Sequence, residues 1–253
     1  MIIIEYMKKV EYIVFLVVLV LVFLIANYSS FDGWVVENLG NEEYIQVERV
    51  IDGDTVVVNG TSVRMLGLNC PERGEKYYTE AKAYTESLVM NRTVLIERRG
   101  KDKYNRDLGY LFYEGENLNA KVVEKGYANY YFPEGSDSYY GVFEKAWEVC
   151  VERNENLCEK SLSKCAECIV LHKFGPDENL ILYNSCDFNC NLDGWSIKDE
   201  GRKTFVFEDF TLKSNYQVEI TAKDFNETYV WTNTGDTMFL RDAKGELVLW
   251  ENY

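Results

Sequence analysis

Apolar residues run without a break from 12 to 26, then fall into short alternating stretches through most of the chain, with a helical period in only three segments. Val56-Val57-Val58, Asn59-Gly60 and residues 61–66 predict a hairpin, because an Asn-Gly pair accepts the two positive φ angles of a tight type I′ turn. Residues 93–98 and 108–113 read as two further strands, with a charged loop between them. Tyr77, Ala81, Tyr84 and Leu88 recur at helical spacing, which predicts a helix over 77–90 whose aromatic stripe is core. A short helix over 117–125 should start on the capping side chain of Asn117 and stop at Gly126. Tyr140, Phe143, Trp147 and Val151 mark a last helix.

Beyond residue 168 the helical period disappears. Strand-like runs at 169–171, 180–184, 194–197, 204–207, 216–221, 229–232, 237–241 and 246–250 come at the spacing of a β-sandwich. Trp195 reads as a core tryptophan of that layer. No internal repeat is visible.

The apolar run at 12–26 follows Lys8 and Lys9, and no Lys or Arg comes after it until Arg49. The basic flank should stay cytoplasmic, so everything after the run should be exported. A run of that length is short for a span, which takes about 17 to 25 residues. Two readings of residues 1–27 therefore stand: a cleaved signal peptide, or an N-terminal membrane anchor that leaves the rest on the outer face. Residues 28–43 lack periodicity and read as a linker.

The net charge of −15 excludes a protein that coats nucleic acid electrostatically. The local distribution says something different: within 91–106, Arg92, Arg98, Arg99, Lys101, Lys103 and Arg106 face only Glu97 and Asp102. His172 is the one histidine in the chain, which rules out a histidine-based catalytic pair.

Of seven cysteines, Cys150, Cys158, Cys165, Cys168, Cys186 and Cys190 cluster and Cys70 stands apart. In an exported chain the cluster reads as three disulfides with Cys70 free. The expected pairs are Cys150 with Cys158, Cys165 with Cys190 and Cys168 with Cys186, the last two being one choice among three connectivities. Such bridges, lying at the joint between the two halves, are expected to fix their relative orientation. Cys165-x2-Cys168 with Cys186-x3-Cys190 also has the spacing of a four-cysteine zinc site, and spacing alone does not separate the two.

Three stretches carry chemistry: Asp52-Gly53-Asp54-Thr55, then Arg64 five residues before Asn69-Cys70-Pro71-Glu72, then Asp102-Lys103-Tyr104-Asn105-Arg106. They supply oxygen donors for a hard divalent cation, a spare carboxylate and two guanidinium groups, the set needed to hydrolyse a phosphodiester. In this order they resemble the staphylococcal nuclease (thermonuclease) family over about 44–161. The resemblance implies an OB-fold barrel with packed helices. It also implies a nuclease acting on DNA and RNA and leaving 3′-phosphate ends, with one Ca²⁺ as cofactor. Carried over residue by residue, it makes Glu72 the general base and Arg64 and Arg106 the phosphate clamps. Asp54, Asn69 and the Cys70 carbonyl become the metal ligands, and Asp52 an acceptor behind them. Lys103 and Tyr104 would meet the substrate, while Tyr131 and Phe132 would either stack on its bases or pack as a strand end. The best-known member of the family has Asp-Thr where this chain has Asn69-Cys70; the lost charge implies weaker cation binding.

Residues 168–253 resemble the lamin-tail domain, an immunoglobulin-like β-sandwich, through Leu192-Asp193-Gly194-Trp195-Ser196-Ile197 and Trp231-Thr232-Asn233-Thr234-Gly235-Asp236-Thr237. The expected fold class is thus β-rich, α+β followed by all-β. The partner of the sandwich is open. Two non-catalytic readings remain beside the nuclease: a silent nucleic-acid-binding barrel and a cell-surface adhesion protein.

Overall fold

The structure, a computed structural model, describes residues 16–19 and 42–253. The expectations for 1–27 and 28–43 lie outside the described residues, apart from 16–19, which are helical and exposed. Among the described residues no helix is long and apolar enough to cross a membrane. Residues 44–253 form one compact unit.

The first half is a curled sheet whose strands run in the order β1 (Glu42–Gln46), β6 (Thr93–Lys101), β7 (Asp107–Tyr113), β4 (Thr61–Met65), β3 (Thr55–Val58) and β2 (Arg49–Asp52), with β8 (Glu116–Asn117) beside β7, as expected for an OB-fold barrel. β3 (Thr55–Val58) and β4 (Thr61–Met65) make the predicted hairpin, with Asn59 and Gly60 at φ 49° and 73°. Val56, Val58, Val63 and Met65 are buried in its core. β6 (Thr93–Lys101) returns as β7 (Asp107–Tyr113), and β7 runs parallel to β4 with Arg64 beside Leu108. That parallel pairing sets the strand carrying Arg64 next to the loop that ends in Arg106.

Three helices cover the sheet: α1 (Tyr78–Val89), α2 (Leu118–Glu124) and α3 (Tyr140–Arg153), all within a residue or two of expectation. Asn117 caps α2 by accepting the Ala120 amide at 3.0 Å. The buried Asn119 fastens α2 to the barrel, accepting from the Leu111 amide and donating to the carbonyls of Leu66 and Gly109. β5 (Gly67–Asn69) pairs with β9 (Asn129–Tyr131), which brings the Asn69 and Tyr131 segments to one edge. Gly67 is required there: it has φ 77°, and a Cβ would sit 2.5 Å from the Phe143 ring.

The second half is a sandwich of a three-stranded layer, β10 (Ile169–Lys173), β11 (Asn179–Asn184) and β16 (Gln217–Thr221), and a four-stranded layer, β14 (Thr204–Val206), β13 (Ser196–Lys198), β17 (Thr237–Arg241) and β18 (Leu247–Asn252), with β12 (Cys190–Asn191) paired to β15 (Thr211–Leu212). Trp195, Leu180, Leu182, Leu192, Ile197 and Leu240 fill its core, so Trp195 has the expected place. The run at 229–232 is not a strand. Glu178 takes the amides of Val230 and Trp231, and Asp236 takes that of Thr232, so side-chain carboxylates satisfy donors a neighbouring strand would otherwise use.

The six clustered cysteines form three disulfides, Cys150–Cys158, Cys165–Cys190 and Cys168–Cys186, while Cys70 is free and buried. The pairing answers the zinc alternative. It also corrects one expectation, because no bridge runs from barrel to sandwich. The first closes the end of α3, and the other two pin the start of the sandwich.

What joins the halves is packing. β17 (Thr237–Arg241) is buried along its whole length. Its Met238 and Leu240 face the sandwich core, while Phe239 enters the barrel core, 5.1 Å from the Trp147 ring and 6.2 Å from that of Tyr130. Burying a Phe this way contributes about 1.5 to 3 kcal/mol. Lys160 bridges to Leu247, and Ser161 donates to Asp242 at 2.6 Å.

Candidate active site

Asp54 sits at the entry to β3, just after a glycine that cannot be replaced, since a Cβ on Gly53 would lie 2.5 Å from the Cys70 sulfur. Its Oδ2 accepts the Cys70 amide at 3.0 Å and lies 3.1 Å from Nη1 of Arg64. Asp52 Oδ1 accepts the Asp54 amide, and burial, then the charge of Asp54, raises the Asp52 carboxyl above its ordinary value. Arg64 is pinned by the carbonyls of Met65 (2.9 Å) and Leu68 (3.0 Å), and its Nη2 lies 3.5 Å from Oδ1 of Asn69. Asp54 and Asn69 thus flank one guanidinium.

The cation implied by the family resemblance can be tested against these donors. A carboxylate (Asp54), an amide oxygen (Asn69) and a backbone carbonyl (Cys70) are all hard oxygens of the kind Ca²⁺ accepts, with Asp52 behind them. The thiol of Cys70 is pushed well up by burial, then by Asp54. Among the described residues no group of three or more His, Cys, Asp and Glu could hold a metal alone. By donor chemistry the set suits a hard cation, although of the three only Asn69 lines the cavity described below and Arg64 lies 3.1 Å from Asp54.

Asp102 organises the charged loop. Its Oδ1 accepts the amides of Tyr104 (2.9 Å) and Arg106 (3.0 Å), and its Oδ2 accepts Nε of Arg106 at 2.7 Å. With Asn105 at φ 61°, this Asx-type turn aims Arg106 into the cleft. Tyr104 is 69% exposed, its ring 5.1 Å from Nζ of Lys103 and 5.6 Å from the Arg106 guanidinium. Tyr131 is half-buried at the cleft wall. Phe132 also reaches the wall, but it is buried and its ring packs edge-on against Tyr140 and Phe143, so it shapes the floor more than it presents a stacking face.

Arg64, Asn69, Lys103, Tyr104, Arg106, Tyr131 and Phe132 therefore line one cavity of about 470 Å³. Glu72 stands outside its lining, exposed, with its amide on Glu75 Oε2 and its own Oε1 2.5 Å from Nη2 of Arg202. Sequence reasoning missed the opposite wall entirely: Asp199, Glu200, Gly201, Arg202, Lys203, Tyr229 and Asp236, all from the sandwich. Nδ2 of Asn69 donates to the Gly201 and Glu200 carbonyls at 2.7 and 3.3 Å, and the Phe132 amide donates to Glu200 Oε2 at 2.9 Å. Burial, with Asp236 nearby, pushes the Asp199 carboxyl up to about 7, and burial likewise pushes Glu200 up to about 7. The departure of Asn69 from an acidic residue was the one signal in the sequence that pointed here.

The comparisons agree with the geometry. Residues 62–159 match the model of the staphylococcal nuclease homologues, and residues 168–253 match that of the lamin tail domain. A thermonuclease from Staphylococcus intermedius is 30% identical over 169 residues, covering 61% of this chain and 100% of that protein. A thermonuclease from Staphylococcus hyicus is 30% identical over 129 residues, 46% of this chain and 76% of its own length. An uncharacterized endonuclease from Haemophilus influenzae is 29% identical over 100 residues, 38% of this chain and 56% of that protein. With the barrel, the ordered motifs and these relatives in accord, the chain belongs to the staphylococcal nuclease family, its nuclease domain followed by a lamin tail domain.

Proposed function

We propose that the protein is an exported, Ca²⁺-dependent nuclease that hydrolyses phosphodiester bonds of DNA and RNA and leaves 3′-phosphate ends. The observation that carries this reading is the meeting of Arg64, Asn69 and Arg106, drawn from separate segments, in one cavity with Asp54 bonded behind Arg64. Asp54, Asn69 and the Cys70 carbonyl would hold the cation, which supplies positive charge beside the phosphate. Glu72, which lies outside the cavity lining and must first part from Arg202, would accept a proton from the attacking water as its oxygen bonds to phosphorus. Arg64 and Arg106 stabilise the charge that builds on the equatorial oxygens, with planar forks that suit phosphate. The P–O5′ bond breaks, the 5′-oxygen takes a proton from solvent, and the phosphate stays on the 3′ end. Lys103 and the exposed Tyr104 border the incoming strand, and Tyr131 offers a stacking surface.

Export is supported by the basic flank before the apolar run and by three disulfides, which persist in oxidising compartments. The protein would be secreted or held at the outer face of the membrane by residues 1–27.

End-group analysis tests the reaction. Products of a labelled oligodeoxynucleotide digested with Ca²⁺ should resist polymerase extension until a phosphatase removes the 3′-phosphate. Directly extendable products would overturn the assignment of the broken bond.

A further inference from the structure

We infer that the β-sandwich is part of the nuclease site: its 199–203 turn is the second wall of the substrate cleft, and Arg202 binds a backbone phosphate of the entering strand. This rests on the cleft being the nuclease site proposed above.

Four observations converge on that turn. First, it is built onto the catalytic segments. Asn69 and the Phe132 amide, which bracket the cleft floor, are both bonded to it. Asn69 is also where the chain departs from the acidic residue of its best-known relative. An aspartate could not donate to the Glu200 and Gly201 carbonyls, so the amide makes sense only with the sandwich in place. Second, the turn contributes cations. Arg202, with its side chain 69% exposed, reaches across to Glu72, and Lys203 lies 3.9 Å over the ring of Tyr229 at the cavity mouth. A planar guanidinium that pairs with a carboxylate donates to two phosphate oxygens in the same geometry. Strand entry then exchanges Glu72 for phosphate on Arg202 and leaves the Glu72 carboxylate open to water.

Third, the carboxylates of this wall are already engaged by hydrogen bonds. Asp199 accepts the Lys203 amide, Asp236 accepts those of Thr232 and Thr237, and Glu200 is held by Phe132 and Thr237. With those oxygens taken up, Arg202 and Lys203 are the charged groups of this turn left to meet a phosphate. Fourth, Tyr229 is 59% exposed and lines the same cavity, an aromatic surface that suits a base next to the bound phosphate.

The test compares wild type, Arg202→Ala, Arg202→Lys and, as a charge control remote from the cleft, Lys213→Ala. Binding of a fluorescein-labelled oligothymidylate is read by anisotropy in chelator, and KM and kcat on single-stranded DNA with Ca²⁺. Arg202→Ala should weaken binding and raise KM about 10-fold, leave kcat within about twofold, and lower the salt slope of binding by about one, with partial rescue by lysine. Lys213→Ala should match wild type. Wild-type binding and KM in Arg202→Ala, or an equal loss in Lys213→Ala, would overturn the inference. If no variant hydrolyses DNA yet Arg202→Ala still weakens binding, the catalytic reading fails and the composite cleft stands.

Discussion

Arg64 and Arg106 carry the same proposed duty in different surroundings, and the difference is measurable. Arg64 is buried against the carboxylate of Asp54, so Arg64→Ala leaves a buried charge without its partner. That change should cost about 3 to 5 kcal/mol of stability as well as activity. Arg106 sits in a more open loop on Asp102, and Arg106→Ala should lower the rate at least about 100-fold while denaturant unfolding shifts by less than about 1 kcal/mol. Equal destabilisation by both would contradict this division. Asn69→Asp tests another dual role. The added charge should tighten Ca²⁺ in a calorimetric titration. The lost donation to Glu200 and Gly201 should cost about 1 to 3 kcal/mol in unfolding. Unchanged Ca²⁺ binding would remove Asn69 from the cation shell.

At the scale of elements, much was legible because local chemistry decides it. The Asn59-Gly60 hairpin, the Asn117 cap and the aromatic stripes of α1 and α3 follow from turn geometry and helical period. The stretch 229–232 misled because its apolar alternation is that of a strand, whereas the hydrogen-bond partners of its backbone are carboxylates distant in sequence. The site divides the same way. Asp54, Arg64, Asn69 and Arg106 were visible from spacing, while Asp102 shows its organising role only through the turn it closes, and Arg202 only through tertiary contact. Cysteine pairing gives a direct check on the elements. Thiol titration of the denatured, unreduced protein should find one reactive group, Cys70, and a count of three or more would contradict the bridges that tie down α3 and the sandwich edge.

For the molecule as a whole, the junction of barrel and sandwich adds buried carboxylates on shared hydrogen bonds to the packing around Phe239. Asp199 and Glu200 titrate near 7 when folded, against 3.8 and 4.5 as ordinary values, while Lys203 and Lys198 oppose the shift at Asp199. Between those limits the folded state holds protons that the unfolded chain releases, so stability is greatest at the acidic end and falls as pH rises to about 7. The loss should be on the order of 3 kcal/mol between pH 5 and 8, and Glu200→Gln should flatten it and melt higher than wild type at pH 8. A melting temperature that rises over this range, unaltered by Glu200→Gln, would contradict a junction built on protonated carboxylates. The same junction joins the lamin tail domain to the cleft. The most direct test is release of acid-soluble nucleotides from DNA and RNA by the purified protein, with Ca²⁺ and with chelator, beside Glu72→Gln. The account predicts release that needs Ca²⁺, stops in chelator and falls at least about 100-fold in Glu72→Gln; full activity in chelator, or in the Glu72→Gln protein, would contradict it.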